Sequence, residues 1–233
     1  MKAYIIFTEL SDYLNTQTLN YLNYVSEEKR KRLEKYRFSV DCKLSLYADL
    51  LVRAQIINKL GLNNQDIEFE TNKYGKPRLK GYTSFHFNVS HTRTAIAAAF
   101  SDKEIGVDIE KIIEPNFDIA KRFFTQNENN YIVSQDDSRR AFYEIWTKKE
   151  SYVKYTGFGL NKPLSSFDVV NKGIHAAINT YYFDNYLLSV CTEPSTKEKP
   201  KILKCSEPEI DSIINGAIYE WVFIKYIIAD SRD

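Results

Sequence analysis

The segments GVDIE (residues 106–110) and WTKKES (146–151) carry three carboxylates, Asp108, Glu110 and Glu150, in a pattern suited to holding a hard cation. Read as a strand, 105–110 alternates: Ile105, Val107 and Ile109 face a core while Asp108 and Glu110 share the other face. Two carboxylates about 7 Å apart on one strand face repel each other unless a cation sits between them. The second segment lies in a helix spanning 138–156, with Phe142, Ile145, Trp146, Lys149 and Val153 at helical spacing. Glu150 is then one turn from both Trp146 and Lys154, at the edge of the buried stripe. Three hard oxygen donors, with room left for water and phosphate, suit Mg²⁺ better than zinc. The expectation is Mg²⁺ bridging the protein and a polyphosphate. The plainer alternative makes Asp108 and Glu110 a solvated strand face and Glu150 an i,i+4 partner of Lys154.

Other residues offer phosphate chemistry. Lys29 and Arg32 lie three apart on a helix predicted over 27–36, so both heads fall on one face near a single anion. Ser26, followed by Glu27 and Glu28, suits the start of that helix, because a hydroxyl and early acids complement the free amides. Tyr74-Gly75-Lys76-Pro77 is turn chemistry. Ser90 and His91 close a strand where a hydroxyl and an imidazole can reach phosphate oxygens.

These elements alternate between helix and strand. The pattern predicts a strand over 2–8, helices over 16–25, 27–36 and 40–60, and a strand over 68–71. Leu44, Tyr47, Ala48, Leu51 and Ile56 mark one stripe of the 40–60 helix. Three strands, 85–90, 94–101 and 104–110, joined by hairpin-sized connections, read as an antiparallel meander that brings Asp108 and Glu110 near Asn88 and Ser90. A helix over 118–124, a polar segment to 137 and the 138–156 helix follow. FDVV, HAAINTYYF and NYLLSVCT read as strands, and a terminal helix begins behind Ser206.

Five ordered segments make the chain resemble the 4′-phosphopantetheinyl transferases of the surfactin-synthetase-activating type. They are SEEKRKRLEKYRF (26–38), LLVR (50–53), KYGKP (73–77), FNVSH (87–91), and the pair GVDIE and WTKKES. The resemblance runs to about residue 163. It implies an α+β fold of two similar halves related by a pseudo-twofold axis with the ligand in the cleft between them. The boundary is placed at 103/104, giving an N-terminal half, 1–103, with nucleotide contacts and a C-terminal half, 104–233, with the metal site and carrier docking.

The resemblance also implies a reaction: Mg²⁺-dependent transfer of the phosphopantetheine group of coenzyme A to a carrier-protein serine, releasing adenosine 3′,5′-bisphosphate. Lys29 and Arg32 would hold the 3′-phosphate, with Ser45 beside the nucleotide. Lys76 and Pro77 would contact coenzyme A, and Ser90 and His91 its phosphates. Asp108, Glu110 and Glu150 would be the metal ligands. Glu150 is also the candidate general base, and base and ligand are not separated by the sequence. Lys154, one turn on, can neutralise a phosphate oxygen. His86 and His175 match no implied site. Around Gly157, Phe158 and Gly159 two readings stand: a mobile loop that docks an acidic carrier-protein helix, or a helix C-cap followed by a turn. Two other functions use the same residues, a Mg²⁺-dependent hydrolase of a nucleotide pyrophosphate and a non-catalytic coenzyme A or carrier-binding module.

Composition narrows the field. A chain of 233 residues with 43% hydrophobic content can bury a substantial core, in one large or two small domains. Its 32 Lys and Arg against 31 Asp and Glu leave a net charge of +1, so no global field draws it to nucleic acid or membrane. Cys42, Cys191 and Cys205 are widely spaced without a CxxC, which favours reduced thiols in a cytoplasmic protein. The short apolar stretch 3–7 is followed by Glu9 and Asp12, which fits a strand and not a signal peptide. No uncharged apolar run approaches the ~18 residues of a membrane span. Length and organisation favour a monomer, by analogy with the resembled type.

Overall fold

The computed structural model describes residues 4–11, 16–37, 39–171, 173–195 and 199–219. Lys2 and Ala3 of the expected first strand, and Phe38 of the basic segment, lie outside them. The elements in chain order are β1 (Tyr4–Glu9), α1 (Thr16–Asn20), α2 (Glu27–Leu33), α3 (Ser39–Leu60), β2 (Phe69–Thr71), β3 (Pro77–Leu79), β4 (His86–Thr92), β5 (Ala95–Ser101) and β6 (Gly106–Lys111). Then come α4 (Phe117–Phe123), α5 (Gln126–Ser134), α6 (Ser138–Thr156), β7 (Ala177–Phe183), β8 (Tyr186–Thr192), β9 (Lys201–Cys205) and α7 (Glu207–Tyr219). The class is α+β, as expected. The strand orders are β4-β5-β1-β9, β2-β3 and β6-β8-β7.

The meander is corrected. β4 and β5 are neighbours, but β6 belongs to another sheet, paired antiparallel with β8 so that Gly106 faces Cys191 and Asp108 faces Ser189. Side chains of β4 take the place of a backbone ladder on the other edge of β6. Asn88 Oδ1 accepts the Val107 amide at 2.8 Å, and Ser90 Oγ accepts the Ile109 amide at 3.4 Å. The expected closeness of Asn88 and Ser90 to Asp108 is therefore reached by a different pairing.

Three further differences have local causes. FDVV is not a strand, because the Asp168 carboxylate accepts the amides of Val170 and Asn171 at 2.8 and 2.9 Å and the Thr125 hydroxyl at 3.0 Å. Local side-chain bonds of this kind compete with strand pairing. The polar stretch before 137 contains α5, started by a reciprocal capping box between Thr125 and Glu128. In α3, buried residues run on all sides from Lys43 to Ile57 instead of along one stripe.

By contact density the described residues form two compact units, one drawn from 4–5, 69–92 and 97–203, the other from 6–68, 93–96 and 204–219. The division expected at 103/104 concerns internal likeness, not contact density.

In the second unit α3 carries the core and binds α7. The Tyr47 and Tyr21 hydroxyls donate to Asp211 at 2.8 and 3.1 Å. The buried Lys43 ammonium bonds Ser11 and Glu207. In the first unit Ile105, Val107 and Ile109 are fully buried. A ring cluster anchors α6: Phe142 stacks on Trp146 at 6.3 Å and meets Phe117 and Phe124 edge-on or tilted.

Candidate active site

β6 and α6 create the site, and Gly106 allows them to meet. A Cβ on Gly106 would lie 2.1 Å from the Ser151 carbonyl oxygen and 2.3 Å from the Tyr155 nitrogen. Only a residue without a side chain lets the helix lie this close. Gly106, Asp108 and Glu110 share one face of the strand. The helix stripe Trp146, Glu150, Lys154 covers that face, and the Lys154 ammonium bonds Asp108.

Asp108 is buried rather than solvated. Its Oδ1 accepts from the Ser90 hydroxyl at 2.8 Å and from Lys154 Nζ at 2.6 Å, while Lys154 Nζ also lies 2.9 Å from Ser90 Oγ. Its Oδ2 is buried without a hydrogen-bond partner. Such a group costs about 1–3 kcal/mol, more when charged, unless something compensates it. Glu110 accepts from the Thr92 hydroxyl at 3.3 Å. Burial, reinforced by the negative charge of Asp108, pushes the Glu110 carboxyl up to about 7, against the pull of Thr92 and Lys154. Burial and Asp108 also raise Glu150, again opposed by Lys154. The three carboxylates thus share one electrostatic neighbourhood in which Lys154 is the nearby cation, bonded to Asp108.

Oxygen donors of this kind fit Mg²⁺, which keeps several waters and takes one or two carboxylates plus substrate phosphates. Among the described residues, no three His, Cys, Asp or Glu side chains, Asp108, Glu110 and Glu150 included, are grouped closely enough to hold a metal ion by themselves. The donor chemistry and the unpartnered Oδ2 fit a partly hydrated magnesium ion, not an all-protein site.

Glu150 and Lys154 line a cavity of about 620 Å³ together with Lys76, Pro77, Arg122 and Lys162. Arg122 and Lys162 carry no motif and escape sequence reasoning. Asn88, Ser90 and Thr92 alternate along β4 and meet positions 107 to 110 in rising order, a pattern visible in the sequence once β4 and β6 are set side by side. His91 is exposed on the opposite face of β4 from Ser90.

Lys76 behaves as a tie. Its ammonium bonds Glu104 at 2.6 Å and the carbonyls of Ile105 and Tyr155 at 3.1 and 3.2 Å, fastening the KYGKP turn to β6 and α6. His86 bonds the other oxygen of Glu104 at 3.3 Å. Burial raises the Glu104 carboxyl, but the bonds from His86 and Lys76 outweigh it and hold it at about 2.

Gly157 is the left-handed C-cap of α6, with φ 69° and its amide bonded to the Val153 carbonyl. The C-cap reading therefore describes this segment. Its carbonyl accepts from Asn72 Nδ2 at 2.9 Å, and Phe158 packs edge-on against Tyr74 at 5.2 Å while remaining 42% exposed. Gly159 opens a 3₁₀ turn, and the Lys162 ammonium lies 5.2 to 5.9 Å from the rings of Tyr152, Phe167 and Phe158.

The second unit holds the other predicted cations. Lys29 Nζ donates to Ser45 Oγ at 2.9 Å, and Tyr36, to which the sequence reading assigns no site role, donates to the same oxygen at 3.4 Å. Burial lowers the Lys29 ammonium, Asp49 opposes this, and the charges of Arg32 and Arg53 lower it further. Lys29, Arg32 and Ser45 thus lie together. Among the described residues no helix is long and apolar enough to cross a membrane. Cys42, Cys191 and Cys205 are free thiols.

Residues 104–211 match the profile of the 4′-phosphopantetheinyl transferase superfamily, and residues 14–102 match the N-terminal profile of 4′-phosphopantetheinyl transferases. The chain is 36% identical over 173 residues to 4′-phosphopantetheinyl transferase Sfp of Bacillus subtilis (strain 168), covering 72% of this chain and 76% of that one. It is 35% identical over 198 residues to 4′-phosphopantetheinyl transferase psf-1 of Bacillus pumilus, covering 78% and 85%. A crystal structure of Thermotoga maritima holo-[acyl-carrier-protein] synthase matches with a TM-score of 0.35 and 15% identity, over 39% of this chain and 63% of that one. With both profiles and these relatives spanning most of its length, the chain belongs to the 4′-phosphopantetheinyl transferases, of the surfactin-synthetase-activating type.

Proposed function

We propose that the β6–α6 site transfers phosphopantetheine from coenzyme A to a carrier-protein serine with Mg²⁺ present, and that the roles divide as follows. Asp108, Glu110 and Glu150 hold the magnesium ion. When bound, the ion supplies Lewis-acid stabilisation of charge on the pyrophosphate oxygens. The Lys154 ammonium neutralises a non-bridging oxygen as a point charge. The serine oxygen attacks the pantetheine-side phosphorus, the bond to the bridging oxygen breaks, and adenosine 3′,5′-bisphosphate departs with that oxygen's electron pair. Glu150 takes the serine proton, a role worth about 10²–10⁴ in rate. Lys29, Arg32 and Ser45 hold the 3′-phosphate, Ser90 contacts a phosphate from the face of β4 beside Lys154 and His91 one from the opposite face, and the KYGKP turn contacts coenzyme A through Pro77 and its backbone while Lys76 keeps the turn in place. The exposed Phe158 edge is assigned to carrier docking, the protein to a cytoplasmic monomer, and the similar halves to 1–103 and 104–233.

The observation that carries this reading is Asp108, with one oxygen tied to Ser90 and Lys154 and the other buried and unpartnered. The test is to incubate the protein with coenzyme A, Mg²⁺ and a panel of unmodified carrier proteins and to read intact masses. One carrier should gain the phosphopantetheinyl group, and only when Mg²⁺ is present. Free phosphopantetheine in the absence of any carrier would instead mark a hydrolase, and no turnover on any arm would contradict the reading.

A further inference from the structure

The Lys154 ammonium is a cation already seated on one oxygen of Asp108. It bonds Asp108 Oδ1 at 2.6 Å and Ser90 Oγ at 2.9 Å, while Asp108 Oδ2 lacks a partner. The lysine side chain is 27% exposed on a flexible stem, whereas the Asp108 side chain is 6% exposed and fixed in β6. Lysine can move without disturbing the strand.

We propose, resting on the metal site and substrate argued above, that Lys154 is a resident counter-cation that holds Asp108 until a phosphate of the nucleotide draws the ammonium away. A divalent ion arriving alone meets a positive charge already seated on its ligand. A phosphate arriving with the ion gives Lys154 a new partner and frees Oδ1. Metal and nucleotide therefore bind with positive cooperativity, each strengthening the other by the same factor.

The test is equilibrium binding of Mn²⁺, a paramagnetic stand-in for Mg²⁺, followed by the signal of the free ion with and without coenzyme A. Native protein should bind Mn²⁺ weakly alone and more tightly with coenzyme A. Lys154→Met should bind Mn²⁺ alone about tenfold more tightly than the native chain, within the usual range of such couplings, and should gain less from coenzyme A. Asp108→Asn serves as the reference. If it loses Mn²⁺ binding while Lys154→Met matches the native chain, the counter-cation role is overturned and the metal site stands. If Asp108→Asn binds Mn²⁺ like the native chain in every condition, the metal site itself fails and the inference with it.

Discussion

Two lysine–carboxylate pairs lie five residues apart on α6, and they do opposite things. Lys149 and Glu128 are both fully buried, with 2.7 Å between Nζ and Oε1. Lys149 also donates to the carbonyls of Leu164 and Phe167 at 2.7 and 2.6 Å, and Glu128 accepts the amides of Thr125 and Val169 at 2.8 and 2.9 Å. All three ammonium donors and both carboxylate oxygens have a partner. It joins α5, α6 and the segment around Leu164 that lines the cavity. Lys154 and Asp108 form the same kind of ion pair, but one carboxylate oxygen is unpartnered and the lysine is partly exposed. A closed pair builds the frame, and an open pair keeps binding capacity in reserve. The difference is in how completely the hydrogen bonds are satisfied, not in residue type.

The largest stability effect should come from the closed pair. Lys149→Ala leaves Glu128 buried and uncompensated, which should cost about 3–5 kcal/mol in urea unfolding. A loss below about 1 kcal/mol would show that this pair is not the frame element described here.

A smaller effect is expected where the two pairs' helix meets the strand. Gly106→Ala places a methyl against the Ser151 and Tyr155 backbone, which must shift. Overpacking of this kind should cost about 1–3 kcal/mol. Because the shift separates α6 from Asp108, transfer should fall further than stability alone explains, read as kcat at a temperature where the variant remains folded. Unchanged kcat would mean that the close approach does not set the geometry of the open pair.

Much of this contrast was legible in the sequence, and the reasons differ by residue. The 138–156 helix was readable because Phe142, Ile145, Trp146, Lys149 and Val153 recur at helical spacing, and the strand alternation of 105–110 put Asp108 and Glu110 on one face. The spacing placed Lys149 inside but not its partner, since Glu128 comes from a polar stretch whose helix is announced only by the Thr125 capping box. Burial of Asp108 was not legible. It depends on α6 lying over that face of β6 and on Ser90 reaching it from β4, while the nearby hairpin signals suggested that β6 pairs with β5. The role of Gly106 was equally hidden, because it becomes necessary only when α6 lies on top of it. Arg122 and Lys162 reach the cavity through loop and helix placement that no local pattern encodes.

The most direct test of the open pair is Asp108→Asn, measured twice, by intact-mass transfer of phosphopantetheine with Mg²⁺ and by urea unfolding. The amide keeps an acceptor for Ser90 but loses the Lys154 ion pair and buries an amide group without a partner, so stability should fall by about 1–3 kcal/mol, leaving the variant folded in the absence of urea. Transfer should be abolished. A variant that retains near-native transfer, or that loses transfer only because it unfolds, would contradict the claim that Asp108 is kept open for chemistry.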